Sequence, residues 1–280
     1  MRITKENVEK ANLKFFSENA ATYNEEEPNY LPENIKRVRQ ILKRVSEKTP
    51  HKSMLDIGCG TGFIIDLAYP YFDRLYGVDI TQAMLNRVNL RNGKIKVFNA
   101  NSEKLPFEKN FFDVCTSYGF LHHLYKLKPT LKEAYRCLKK NGIFYSDQDP
   151  NYYYWNFLST FDHKSVTKKF IKKEILSVQD PEKGFRWNEM GNYKKIGKKA
   201  VEIAEFQKVI EKGFKEEKIK KILKDIGFRK IEISYEWYLG EGHVIHDISP
   251  KIAEKVFEFL RDCLPITRNF FKYIRIEAIK

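Results

Sequence analysis

The sequence predicts an α/β fold whose sheet is largely parallel and flanked by helices, and three observations carry that expectation. Residues 54–63 read Met-Leu-Asp-Ile-Gly-Cys-Gly-Thr-Gly-Phe, an apolar run broken at alternate positions by Gly58, Gly60 and Gly62. That is the pattern of a buried strand, a tight turn and a helix start. A second strand-like run, Leu75 to Ile80, ends in Asp79, at about the separation of the acid that takes the ribose hydroxyls in nucleotide-binding α/β folds. Third, strand-like and helical-period segments alternate as far as residue 150 and resume beyond residue 213, as parallel units require.

The glycine turn also excludes ligands. A Cβ there would block both a positive φ and the close approach of a bound molecule. The spacing lacks the third glycine of the dinucleotide fingerprint, and no Lys-Ser or Lys-Thr pair follows to hold phosphates. A glycine turn with an acid and no phosphate anchor suits a nucleoside without phosphates.

Taken in order, the chain opens with a helical segment around Val8 to Phe16, followed by an acidic loop to Pro32. Ile35, Val38, Ile41, Leu42 and Val45 recur at helical spacing, so 33–48 is an amphipathic helix closed by Pro50. Beyond the glycine turn, Phe63 to Ala68 starts a helix, and Thr81 is the expected N-cap of another bearing Met84, Leu85 and Val88. Lys94 to Phe98 alternates as a third strand and Asp113 to Gly119 forms the fourth. A helix with Leu131, Ala134, Tyr135 and Leu138 on its face is expected to end in a C-cap at Asn141-Gly142. Residues 143–146 are the fifth strand. From Asn151 to about Lys212 the pattern lapses into an aromatic run, Tyr152 to Phe157, and a basic helix over 166–178; Trp187, Met190 and Tyr193 lie in the same stretch. A helix ending at Gly227, a strand over 231–237, a helix over 252–260 and a last strand from Phe271 complete the chain.

The 280 residues carry 42% hydrophobic content, enough for a sizeable core. No apolar run approaches the ~20 residues of a bilayer span, and the first residues do not read as a signal peptide. A cytoplasmic protein is therefore expected. The four cysteines, Cys59, Cys115, Cys137 and Cys263, show no paired spacing, so neither a zinc site nor a disulfide framework is indicated. The net charge of +14 admits a nucleic-acid or membrane-surface partner. Its excess is densest in residues 151–200 and elsewhere reads as a solvated Lys/Glu surface.

Four motifs, in order, then define a resemblance: Leu55 to Gly62; Gly77-Val78-Asp79; Leu105-Pro106-Phe107 with Phe112-Asp113-Val114; and Leu121-His122-His123-Leu124. Together they resemble the class I S-adenosylmethionine-dependent methyltransferases, in particular the small-molecule group typified by ubiquinone and menaquinone methyltransferases. The resemblance covers residues 13–150 and 213–280. It implies a Rossmann-like, seven-stranded mixed sheet with helices on both faces, an antiparallel last strand, and a helical cap inserted after the fifth strand. The chain would divide into an N-terminal segment over the cofactor mouth (1–50), a cofactor-binding core (51–150), a cap selecting substrate (151–212) and a completing segment (213–280).

For the cofactor, S-adenosyl-L-methionine, the resemblance implies contacts from Asp56, Gly58, Cys59, Gly60, Asp79, Ile80, Met84, Ser102, Ser117 and Tyr118. Tyr23 would stand near the methionine end, or pack between helices. Asn101 occupies the place of the family's commoner Asp, where its carbonyl can accept from the adenine amino group. His123, His122 or Asp149 would take a proton from the acceptor; the bland readings are packing for the imidazoles and a structural turn for the acid. The aromatic, basic insertion suits an acidic, planar or sugar-like acceptor, or forms a small core of its own. No metal is required.

The acceptor is expected to be a small molecule attacking through oxygen or nitrogen. A nucleic-acid acceptor is disfavoured, because no Asp- or Asn-Pro-Pro-aromatic sequence follows the fourth strand and no Pro-Cys pair is present. A lipid-linked acceptor met through weak membrane-surface contact, and a non-catalytic binding protein, are the remaining alternatives.

Overall fold

A computed structural model describes residues 2–50, 52–179 and 197–280; Trp187, Met190 and Tyr193 lie outside the described residues. Seven strands form one sheet: β1 (Ser53–Ile57), β2 (Arg74–Asp79), β3 (Ile95–Asn99), β4 (Phe112–Tyr118), β5 (Leu138–Pro150), β6 (Arg229–Tyr238) and β7 (Phe271–Ile279). Their order is β3-β2-β1-β4-β5-β7-β6. The first five run parallel, and β7 lies antiparallel between β5 and β6.

Residue parity decides which helical layer each strand residue meets, because successive side chains point to opposite faces. Met54 and Val114 join one core with Val38, Leu42 and Val45 of α3 (Pro32–Glu47) and with Ile64 and Ile65 of α4 (Phe63–Ala68). Leu55, Ile57 and Cys115 join the other, with Leu131 and Ala134 of α6 (Leu127–Cys137), Leu223 of the helix Glu216–Ile226 and Ala253 of the helix Pro250–Asp262. The apolar stripe of α3 is the one its helical spacing predicts.

The helix before β5 ends earlier than expected. α6 stops at Cys137, Leu138 is already extended and paired with Phe112, and the next pairing is Val114 with Ile143. Asn141, at φ +64°, and Gly142 occupy that register shift, a bulge within a strand instead of a helix C-cap.

Arg37 of α3 pins the helix to the sheet, with Nη1 2.9 Å from Glu236 on β6 and 3.2 Å from Asp147 on β5. Arg275 of β7 reaches the other Glu236 oxygen at 2.7 Å.

The N-terminal helix α1 (Lys5–Asn19) packs Ala11 and Phe15 against Val201 and Ala204 of the helix Lys198–Ala204. The aromatic run forms α7 (Tyr152–Ser159), capped by Asn151, whose side chain accepts from the Tyr153 amide at 3.1 Å. Tyr154, Trp155 and Leu158 bury against Ile175 of α8 (Lys169–Gln179). The run therefore makes a small core of its own, and none of its residues lines the cavities described next. Among the described residues, no helix is long and apolar enough to cross a membrane.

Candidate active site

The site lies at the carboxyl ends of β1, β2 and β4, where the strand order reverses between β1 and β4, the usual place for a ligand in such sheets. After β1 the chain bends under backbone control. Gly58 and Cys59 donate their amides to the Val78 carbonyl at 2.8 and 3.0 Å. Gly58 has φ +73°, and a Cβ on it would stand 2.1 Å from the Phe120 ring. The Asp79 carboxylate receives the Gly60 amide at 3.0 Å on one oxygen and the Thr81 amide at 2.8 Å on the other. Burial raises the Asp79 carboxyl while those two donors oppose the shift.

Above this bend opens a cavity whose empty space, its mouth to solvent included, is about 1000 Å³. Asp56, Gly58, Cys59, Gly60, Asp79, Ile80 and Met84 line one side, and Asn101, Ser102, Tyr118, Tyr23 and His123 line others. Burial pushes the Asp56 carboxyl up to about 7, against the Thr116 hydroxyl that donates to it at 2.7 Å. α1 covers the opening: Glu9 accepts from the Asn101 amide at 3.0 Å, and Asn12 donates to the His123 carbonyl at 3.0 Å. The Asn101 carbonyl accepts the Glu103 amide at 2.9 Å. Both ends of that side chain are thus already engaged.

A second cavity, with about 2020 Å³ of empty space when its open mouth is included, adjoins the first, and Phe16, Tyr23, Gly119 and His123 line both. Its walls come from remote parts of the chain: Phe170 of α8, Glu205, Trp237 and Tyr238 at the end of β6, Glu241, and Tyr273 of β7. Several of its charges are paired, Lys208 with Glu205 at 2.8 Å and Lys272 with Glu174 at 2.9 Å.

The two histidines sit at the junction. Burial lowers both imidazoles to about 4, with Glu205 opposing the shift, so both are neutral near pH 7. Burial would raise Glu205, but Lys208 and the imidazoles outweigh it and hold the carboxyl down at about 2.

Two expected site residues lie elsewhere. Ser117 is buried and lines neither cavity; it shares parity with Cys115 and so faces away from Tyr118. Asp149 is also sealed from both cavities. Its Oδ1 takes the His122 amide at 3.1 Å and stands 3.0 Å from His122 Nδ1, while Oδ2 accepts from Ser146 at 2.9 Å. It holds His122 from behind and opens onto neither cavity. Glu205, Phe170, Trp237 and Glu241 were not predicted, and no local motif marks them.

Residues 55–146 match a family model described as a methyltransferase domain. A probable S-adenosylmethionine-dependent methyltransferase of Mycolicibacterium smegmatis is 25% identical over 110 residues, 39% of this chain and 43% of that protein. The ubiquinone biosynthesis O-methyltransferase of Pelagibacter ubique is 27% identical over 169 residues, 59% of this chain and 62% of its own. In structure, phosphoethanolamine N-methyltransferase 2 of Haemonchus contortus, solved with phosphomonomethylethanolamine and S-adenosylhomocysteine, aligns with all of this chain and 60% of its own. Its TM-score is 0.57 at 16% identity, a likeness of fold. Residues 55–146 are accordingly similar to a methyltransferase domain, and the chain as a whole shares the Rossmann-like sheet and a partial sequence likeness with S-adenosylmethionine-dependent methyltransferases. It spans about half the length of the first curated relatives it matches.

Proposed function

We propose that the chain transfers a methyl group from S-adenosyl-L-methionine to an oxygen or nitrogen of a small-molecule acceptor by in-line displacement. The observation that carries this reading is the meeting of two cavities at Tyr23, Gly119 and His123. One has a nucleoside-shaped donor set, the other room for an acceptor.

The first cavity fits the cofactor by its chemistry. Its floor is backbone, its rim carries the Asp79 carboxylate, and Lys5, its single Lys or Arg among the described residues, is paired with Glu103 at 2.5 Å. That set suits a sugar and a base without phosphates. When bound there, the cofactor supplies an electrophilic methyl on a sulfonium. Asp79 would hold the ribose hydroxyls, Met84 would lie against the adenine, and Tyr23 would face the methionine end. α1 and the acceptor-side walls exclude water and align the nucleophile, which is most of what such a displacement needs. Neutral His123 keeps a ring nitrogen free to receive the acceptor's proton, because its Nδ1 is spent on the Ala204 carbonyl at 2.8 Å.

Calorimetry with S-adenosylmethionine and S-adenosylhomocysteine tests the cofactor half of the proposal. Saturable binding weakened by Asp79→Ala supports it, whereas undiminished binding in that variant refutes the assignment. Labelled methyl transfer into fractionated small-molecule extracts tests the acceptor half; label entering only RNA or lipid would redirect it.

A further inference from the structure

We infer that His122, His123 and Glu205 form a site for a divalent first-row ion such as Zn²⁺ at the junction of the two cavities. One ligand atom from each residue lies within 4.8 Å of the other two. The hydrogen bonds around them fix which atoms those are. His123 Nδ1 stands 2.8 Å from the Ala204 carbonyl, which can only accept, so Nδ1 carries the proton and Nε2 presents its lone pair. Asp149 accepts the His122 amide and the Ser146 hydroxyl, and His122 Nδ1 gives to the same carboxylate at 3.0 Å.

His122 Nε2 therefore turns a lone pair toward Glu205 Oε2 across 3.6 Å. Two buried electron-pair donors face each other with a third close by, an arrangement that an ion bridging all three would stabilise beyond the Lys208 ammonium already on Glu205 Oε2.

The support around the imidazoles has the same character. A carboxylate behind one ring and a backbone carbonyl behind the other are the partners that orient metal-ligating histidines. Imidazole ligands select Zn²⁺ or its first-row neighbours over Mg²⁺ or Ca²⁺. Lys208, 2.8 Å from Glu205 Oε2, competes with the ion for that oxygen, so binding is expected to be reversible. Glu205 comes from the inserted region and the histidines from the turn after β4, which is why sequence spacing gave no sign of the cluster.

The role of the ion rests on the methyl-transfer reading, although its binding does not. Three protein ligands leave a position open toward the cavities, and a hydroxyl acceptor bound there would lose its proton more readily, as metal-bound water does. With the ion on His123 Nε2 that nitrogen no longer takes the proton, so in the loaded site the O–H bond breaks with its proton passing to water. The oxygen then forms the O–C bond as C–S breaks, and the sulfur keeps the electron pair as a thioether.

The test uses the whole chain, stripped by chelator and titrated with Co²⁺ without S-adenosylmethionine, so its failure is separable from failure of the methyl-transfer reading. One equivalent should bind with visible d–d absorption and be displaced by Zn²⁺. His123→Gln and Glu205→Gln should each weaken binding by about 10–100-fold. Lys208→Met keeps all three ligands and should tighten it. His246→Gln, at an exposed histidine, should change nothing. The inference is overturned if no stoichiometric Co²⁺ binds. It also fails if binding persists in folded His123→Gln and Glu205→Gln, or if Lys208→Met does not raise the affinity.

Discussion

The two cavities are built by different means. The cofactor side is made largely of backbone: a bend at residues 58–62, amides gathered on Asp79, and the ends of adjacent parallel strands. The acceptor side is made of side chains delivered from α3, α8, the ends of β6 and β7 and the residues around Glu205. Geometry confined to two neighbouring strands tolerates little change at a few positions. A wall assembled from remote elements depends instead on the ion pairs and packing that hold those elements together.

The largest test of that contrast is Arg37→Ala. Removing the guanidinium leaves Asp147 and Glu236 buried with one partner fewer, and uncompensated buried charge costs about 3–5 kcal/mol. About a fifth of the Arg37 side chain is exposed, so the lower end is expected. Chemical denaturation should show the loss while S-adenosylmethionine affinity in the folded fraction holds; a parallel collapse of affinity would break the comparison.

Acid provides the next test. Burial lowers the folded His123 imidazole to about 4 from the 6.5 of a solvated one, so the unfolded chain binds the proton first and stability is lost as pH falls from 6.5 toward 4. The slope is about 1.4 kcal/mol per pH unit for one such group. Subtracting the denaturation profile of His123→Gln from that of the native chain should isolate it.

Asp79→Ala comes third. It strips the acceptor from the Gly60 and Thr81 amides, and an unsatisfied buried donor costs about 1–3 kcal/mol. Calorimetry should show cofactor binding weakened by roughly tenfold or more, with Asp79→Asn recovering part of it. Asn101→Ala should do least. Its amide is committed to Glu9 and Glu103, so a loss of about 0.5–1.5 kcal/mol in melting experiments is expected, with only a few-fold change in cofactor affinity.

The same contrast explains what could be read from the sequence. The individual strands, the stripe of α3 and the glycine bend were legible because each is specified within a dozen residues. Ser117 was misplaced because a motif gives a neighbourhood and not a face; one residue of parity separates it from Tyr118. Asn141-Gly142 has the composition of a helix end, but pairing with β4 won. The Tyr152 to Phe157 run could be read as a binding wall or as a small core, and packing takes the second: Tyr154, Trp155 and Phe157 join a local core with Ile175. Glu205 and Trp237 reach the acceptor side only through tertiary packing, so no window of sequence contains both them and the histidines.

Phe120 joins the two halves. Its ring occupies the space a side chain at position 58 would need, and its own residue opens the short turn that carries both histidines. A ligand settling on the glycine bend would lie against Phe120, the residue from which the turn carrying the imidazoles starts. The two ligands should then load in compulsory order, cofactor leading, and product inhibition patterns would record that sequence.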